Sequence, residues 1–120
     1  MTLRFLFRPL WIAAIVTVAA VTLLPMPNMS ELPQQSDKVA HFACYAILGC
    51  LAVLAQKSRR WQVLAVLAMV VMGVAIECIQ YFLPWRSFEA MDMLANTVGV
   101  TSGVIISLLW PHVRRGGRGQ

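Results

Sequence analysis

Six polar or ionisable residues recur in one 20-residue stretch of an otherwise apolar chain: Glu77, Gln80, Arg86, Glu89, Asp92 and Asn96. Glu77 lies about six residues inside an apolar run, at a depth where lipid or protein replaces water. A carboxylate there is costly and is by default a functional residue. A second group, Asp37, Lys38, His41 and Tyr45, opens the preceding apolar run. Asp37, His41 and Tyr45 are spaced i, i+4, i+8, so on a helix they share one face. Glu77 and Gln80 are three apart and Asp92 and Asn96 four apart, which likewise sets each pair on one helical face. Carboxylates beside an imidazole are the residue types of proton transfer. Lys38 and Arg86 suit recognition of phosphate or carboxylate.

The elements that must position these residues follow from composition. The 120 residues are 59% hydrophobic and 12% charged, with a mean hydropathy of +0.71. Soluble domains carry about 25% charge, so composition places the chain in the membrane class as one domain. The net charge of +5 does not indicate a nucleic-acid partner, because the basic residues fall in short groups between apolar runs. Cys44, Cys50 and Cys78 have no paired spacing and read as small packing residues.

The expected fold is all-α, an integral membrane bundle of four transmembrane helices over about 5–25, 37–55, 61–83 and 91–110, with a flexible basic tail at 111–120. The first run continues to Leu24 without a small-x-small cleavage site and reads as an uncleaved span, about 20 residues crossing a ~30 Å core. Pro25, Pro27 and Pro33 mark a loop, and Ser36 or Asp37 is the expected N-cap of the second helix. The apolar face of that helix, including Val39, Phe42, Ala46 and Val53, is expected to meet lipid. Trp61 is an interfacial anchor after the basic loop at 56–60. Gly99 and Gly103 form a GxxxG that continues the Asp92–Asn96 stripe, which suggests an inward-packing face and a possible homo-oligomer contact.

Arg4, Arg8, Lys57, Arg59, Arg60, Arg114, Arg115 and Arg118 fall on one side of a four-span arrangement, and only Lys38 and Arg86 on the other. By the positive-inside rule both termini are cytoplasmic. All the acidic residues, Glu31, Asp37, Glu77, Glu89 and Asp92, then belong to the outer side. Measured by helical rise, His41 lies about 5 Å deep, Asn96 about 6 Å and Glu77 about 9 Å. The expectation is a polar pocket open to the outer face, formed where three helices turn these residues toward one another.

Asp37-Lys38-x-x-His41-Phe42-x-x-Tyr45, then Glu77-x-x-Gln80, Arg86 and Asp92-x-x-x-Asn96-x-x-Gly99-x-x-x-Gly103, resembles the VanZ-like family of small bacterial membrane proteins. The resemblance covers about Asp37 to Gly103; the first helix matches in character alone. It implies a multi-pass protein of the bacterial inner membrane. The family is named for a member linked to resistance to the glycopeptide teicoplanin, which implies a place in the cell envelope.

Two functions are open. In one, the pocket binds the head group of a membrane lipid or lipid-linked envelope precursor through Asp37, Lys38, Tyr45, Gln80, Arg86 and Asn96. In the other, a small intramembrane enzyme acts on a lipid-linked phosphate or glycan, with Glu77 or Asp92 as general acid or base, His41 as partner and Arg86 stabilising negative charge. Proton-coupled transport through Glu77 is a lesser reading. No phosphate-binding glycine loop, serine elbow or Cys–His pairing is present, and no cofactor is expected. A metal would use Asp37, His41, Glu77 and Asp92, but these lie far apart in sequence without HExxH-like spacing, so no metal is assigned.

Overall fold

The computed structural model describes residues 4–24, 34–84 and 90–116; the side chains of residues 4, 34–37 and 111–116 are outside that description. Four helices run in chain order: α1 Arg4–Leu23, α2 Gln34–Leu54, α3 Arg59–Phe82 and α4 Ala90–Gly116. No strand occurs among the described residues. Three helices are long and apolar enough to cross a membrane: Phe5–Leu23, Arg59–Phe82 and Ala90–Trp110. The apolar run of α2 among the described residues, Lys38–Leu54, is shorter, and Lys38, His41 and Tyr45 lie in its first two turns.

Two boundaries differ from expectation. Ser36 and Asp37 are not caps: α2 starts at Gln34, so both lie in its first turn. Glutamine is a good helix former, and a carboxylate near the N-terminus favours the helix dipole. At the other end α4 continues through Pro111 to Gly116. A proline removes one i→i−4 bond, here to the Ser107 carbonyl, without ending the helix. The flexible tail expected from Pro111 is therefore helical as far as Gly116; residues 117–120 lie outside the described residues.

The α2–α3 connection is short and fastened at both sides. Ser58 caps α3 by accepting a hydrogen bond from the Trp61 N–H at 3.4 Å. Gln62 Nε2 donates to the Val53 carbonyl at 3.1 Å. Arg59 and Arg60, expected in the loop, form the first turn of α3.

Packing follows the sequence stripes. Asp92, Asn96, Gly99, Gly103 and Ser107 are all buried along α4. They repeat at intervals of four and three, the period of one helical face. On α3 the buried residues are Ala65, Met69, Gly73, Ile76, Glu77 and Gln80. Glycines set how closely α2 and α4 approach. A Cβ on Gly49 would lie 2.5 Å from the Val100 carbonyl oxygen, one on Gly99 would lie 2.5 Å from that of Phe42, and one on Gly103 would overlap the Ala46 carbonyl. The surface offered by Gly99 and Gly103 is thus filled by α2 of the same chain.

One residue expected to face lipid does not: Val53 is buried. Ala46 is half-buried and offers its backbone to Gly103, and hydropathy alone does not separate a helix contact of that kind from a lipid contact. Tyr45, Leu48, Ala52, Ala65, Met69 and Val100 form the core, against which α1 lays Trp11, Ala14, Ile15 and Val18. Large apolar residues such as Val39, Val71, Phe82 and Leu94 cover the outside. Thr17 and Thr22 satisfy their hydroxyls on carbonyls of their own helix, to Ala13 at 2.8 Å and Val18 at 2.6 Å, which lets them sit in apolar surroundings.

Candidate functional site

One end of the bundle is polar, where α1 and α3 finish and α2 and α4 begin. α2 places Lys38, His41 and Tyr45 there, each one turn after the last. Lys38 and His41 are half-buried, and Tyr45 is 1% exposed. α3 contributes Glu77 and Gln80, and α4 contributes Asp92 and Asn96; Glu77 has no exposure, and the other three are at most 4% exposed.

His41, Glu77 and Asp92 meet. A ring nitrogen and two carboxylate oxygens from these residues all lie within 4.8 Å of one another. They come from three helices and are 36 and 15 residues apart in the chain. Only the fold brings them together. His41 Nδ1 lies 3.0 Å from Asn96 Oδ1. An amide oxygen can only accept, so Nδ1 carries the proton and donates to it. Nε2 is the ring's other nitrogen, the one left for contact with the rest of the cluster. None of Lys38, His41, Glu77 and Asp92 is without an interaction.

The remaining donors are less complete. Among the described residues, Tyr45 Oη and Asn96 Nδ2 are buried with no hydrogen-bond partner. Gly73, one turn before Glu77, makes room for both groups: a Cβ there would lie 3.2 Å from Tyr45 Cε1 and 3.5 Å from Asn96 Nδ2. Gly73 was not singled out in the sequence, although a glycine four residues before a buried glutamate shares its face.

Gln80, expected among the ligand-binding residues, also makes a contact within the bundle. Its Nε2 donates to the Thr22 carbonyl at 2.8 Å, tying α3 to the last turn of α1. Carbonyls in a last turn have no intrahelical partner, so Gln80 supplies one. Thr22 acts through its backbone, which leaves no side-chain signal in a sequence. The expected site also included Asp37 and Arg86. The backbone of Asp37 lies one turn before His41 in α2, with its side chain outside the described residues. Arg86, Trp85 and Glu89 lie in the segment 85–89, also outside them.

A cleft of about 760 Å³ opens at the opposite end, lined by residues including Arg8, Trp11, Gln56, Lys57 and Trp61. Among the described residues, Arg8 and Lys57 line this cleft, whereas Glu77 and Asp92 lie at the polar end beside Lys38.

Chemically, the polar end can transfer protons or hold a cation. Two carboxylates buried together need a proton, a cationic neighbour or a metal to offset their desolvation. The His41 imidazole, within 4.8 Å of both carboxylates, is oriented by its contact with Asn96.

A family model described as VanZ/LLP1 matches residues 2–111. An uncharacterized protein of Schizosaccharomyces pombe is 32% identical over 83 residues, covering 67% of this chain and 51% of that protein. The chain spans about half the length of this curated relative. No solved structure matches.

Proposed function

The chain belongs to the VanZ/LLP1 family, and we propose that this membrane protein takes the polar head group of a lipid, or of a lipid-linked envelope precursor, at the end that holds His41, Glu77 and Asp92. The observation that carries this reading is the convergence of those three side chains with Tyr45 and Asn96 at one end of an apolar bundle. That is head-group depth if the helices cross the membrane. Lys38 stands at the rim of the site one turn above His41, and Arg86 in the adjoining segment supplies a second cation for phosphate. The distribution of lysine and arginine supports both termini being cytoplasmic, with the polar end facing outward. On that reading the protein is a multi-pass protein of a bacterial inner membrane. The similarity to a eukaryotic protein favours a phosphate-bearing head group found in many membranes over one confined to a bacterial wall. An effect on teicoplanin susceptibility would follow only if the occupant is a wall precursor.

A second reading is favoured by a specific observation. The three residues that meet are the three to which acid–base chemistry was assigned on sequence, so the bound head group would be acted on by proton transfer through His41 with Glu77 or Asp92. Mass spectrometry of lipids that co-purify with the protein tests the first reading. A phosphate-headed lipid retained by wild type and lost from Lys38→Ala and Arg86→Ala supports it; an unchanged lipid profile overturns it. Glu77→Gln divides the readings, because an enzyme keeps its lipid substrate intact where wild type converts it.

A further inference from the structure

Sequence spacing offered no reason to assign a metal, since the candidate ligands are scattered over three helices. The geometry points to one: we propose that His41, Glu77 and Asp92 together hold a divalent first-row transition-metal ion. The inference stands on these side chains and not on the identity of any lipid.

Distance comes first. Two donors bound about 2.1 Å from one ion are at most about 4.2 Å apart. The three donor atoms already lie within 4.8 Å of one another, so rotation of the carboxylates is enough to close the set. Chemistry comes second. One imidazole and two carboxylates suit zinc, manganese or iron better than a soft ion such as copper(I). With the ring neutral the ligands sum to a charge of about −2, which a divalent ion offsets inside an apolar bundle.

The ring's orientation agrees. A metal-binding histidine donates its second ring N–H to a carbonyl or carboxylate, which fixes the tautomer and the direction of the lone pair. His41 does this through Nδ1 to Asn96 Oδ1 at 3.0 Å, and we assign Nε2 as the ligand atom.

Two further donors border the cluster. Tyr45 is 1% exposed and Asn96 3% exposed, and Tyr45 Oη and Asn96 Nδ2 find no acceptor among the described residues. Buried donors left without a partner mark a missing group. A metal-bound water, or a phosphate oxygen on the metal, supplies the acceptor both lack. Three protein ligands with open positions describe a site that takes an outside ligand, not a closed structural one.

The test uses the full chain in detergent, stripped with a chelator, loaded with zinc alone and desalted before elemental analysis. The expected result is about one zinc per chain in wild type, with loss of bound zinc in His41→Gln, Glu77→Gln and Asp92→Asn. Asn96→Ala keeps all three ligands and is expected to weaken zinc affinity about 10-fold or more. Cobalt(II) loaded into the wild type gives a readout free of any folding defect in a variant. Visible absorption bands of a low-symmetry nitrogen–oxygen site are expected, and the spectrum of hexa-aquo cobalt alone overturns the proposal. So does zinc retained at wild-type level by Glu77→Gln. Lipid still co-purifying with a wild type that binds no metal would sink the metal site and leave the head-group reading standing.

Discussion

Replacing Gly103 by alanine tests the packing that builds the site. The added Cβ would overlap the Ala46 carbonyl, a backbone atom that cannot rotate away, so α2 and α4 must separate. At Gly99 and Gly49 the new Cβ would stand 2.5 Å from a carbonyl oxygen, short of ordinary contact by about 1 Å. Overpacking of that kind costs about 1–3 kcal/mol. Alanine returns up to about 1 kcal/mol through its higher helix propensity. The net expectation is a loss of about 1–2 kcal/mol for Gly99→Ala and Gly49→Ala, and of about 3 kcal/mol or more for Gly103→Ala. Gly73→Ala is the internal control. Its Cβ would meet the Tyr45 ring at 3.2 Å, and a ring edge can shift by a few tenths of an ångström, so the net change is about zero. Denaturation in mixed micelles, followed by far-UV circular dichroism, gives the four stabilities. The reasoning fails if Gly103→Ala is as stable as wild type, or if Gly73→Ala is the most damaging of the four.

Other variants probe single contacts. Asn96→Ala leaves the His41 Nδ1 proton without its acceptor and is expected to destabilise by about 1–3 kcal/mol in the same denaturation assay. Tyr45→Phe removes a buried hydroxyl that has no hydrogen-bond partner among the described residues, so the fold is expected to be unchanged or more stable by about 1 kcal/mol. Gln80→Ala frees the Thr22 carbonyl and loosens α1, with an expected cost of about 1 kcal/mol and faster amide exchange confined to the last turn of α1.

Much of this arrangement is legible in the sequence because the membrane narrows the choices. Apolar run length sets the helices, and the i, i+4 spacing of Asp92–Asn96 and of His41–Tyr45 sets which faces turn inward. Gly99 and Gly103 announce a close helix contact, and the structure supplies the partner, α2. What stays hidden has physical causes. The helical state of Ser36 and Asp37 depends on propensity and dipole effects too small to stand out against the cap residues they resemble. The passage of α4 through Pro111 reflects how little one missing hydrogen bond weighs near a helix end. The bond from Gln80 to α1 is hidden because its partner, Thr22, takes part through a backbone carbonyl. The meeting of His41 with Glu77 and Asp92 depends on the rotation of three helices about their axes, which the spacing within any one of them does not determine.

The tautomer of His41 reports on that meeting most directly. The chain has two histidines, His41 and His112, so ¹⁵N labelling of histidine gives two rings to assign, and His41→Gln identifies them. In metal-free protein the proton is expected on Nδ1, held by Asn96, with the Nε2 resonance moving in both Glu77→Gln and Asp92→Asn. A neutral His41 ring protonated only on Nε2, with a signal indifferent to both carboxylates, would mean that the three helices do not assemble one site.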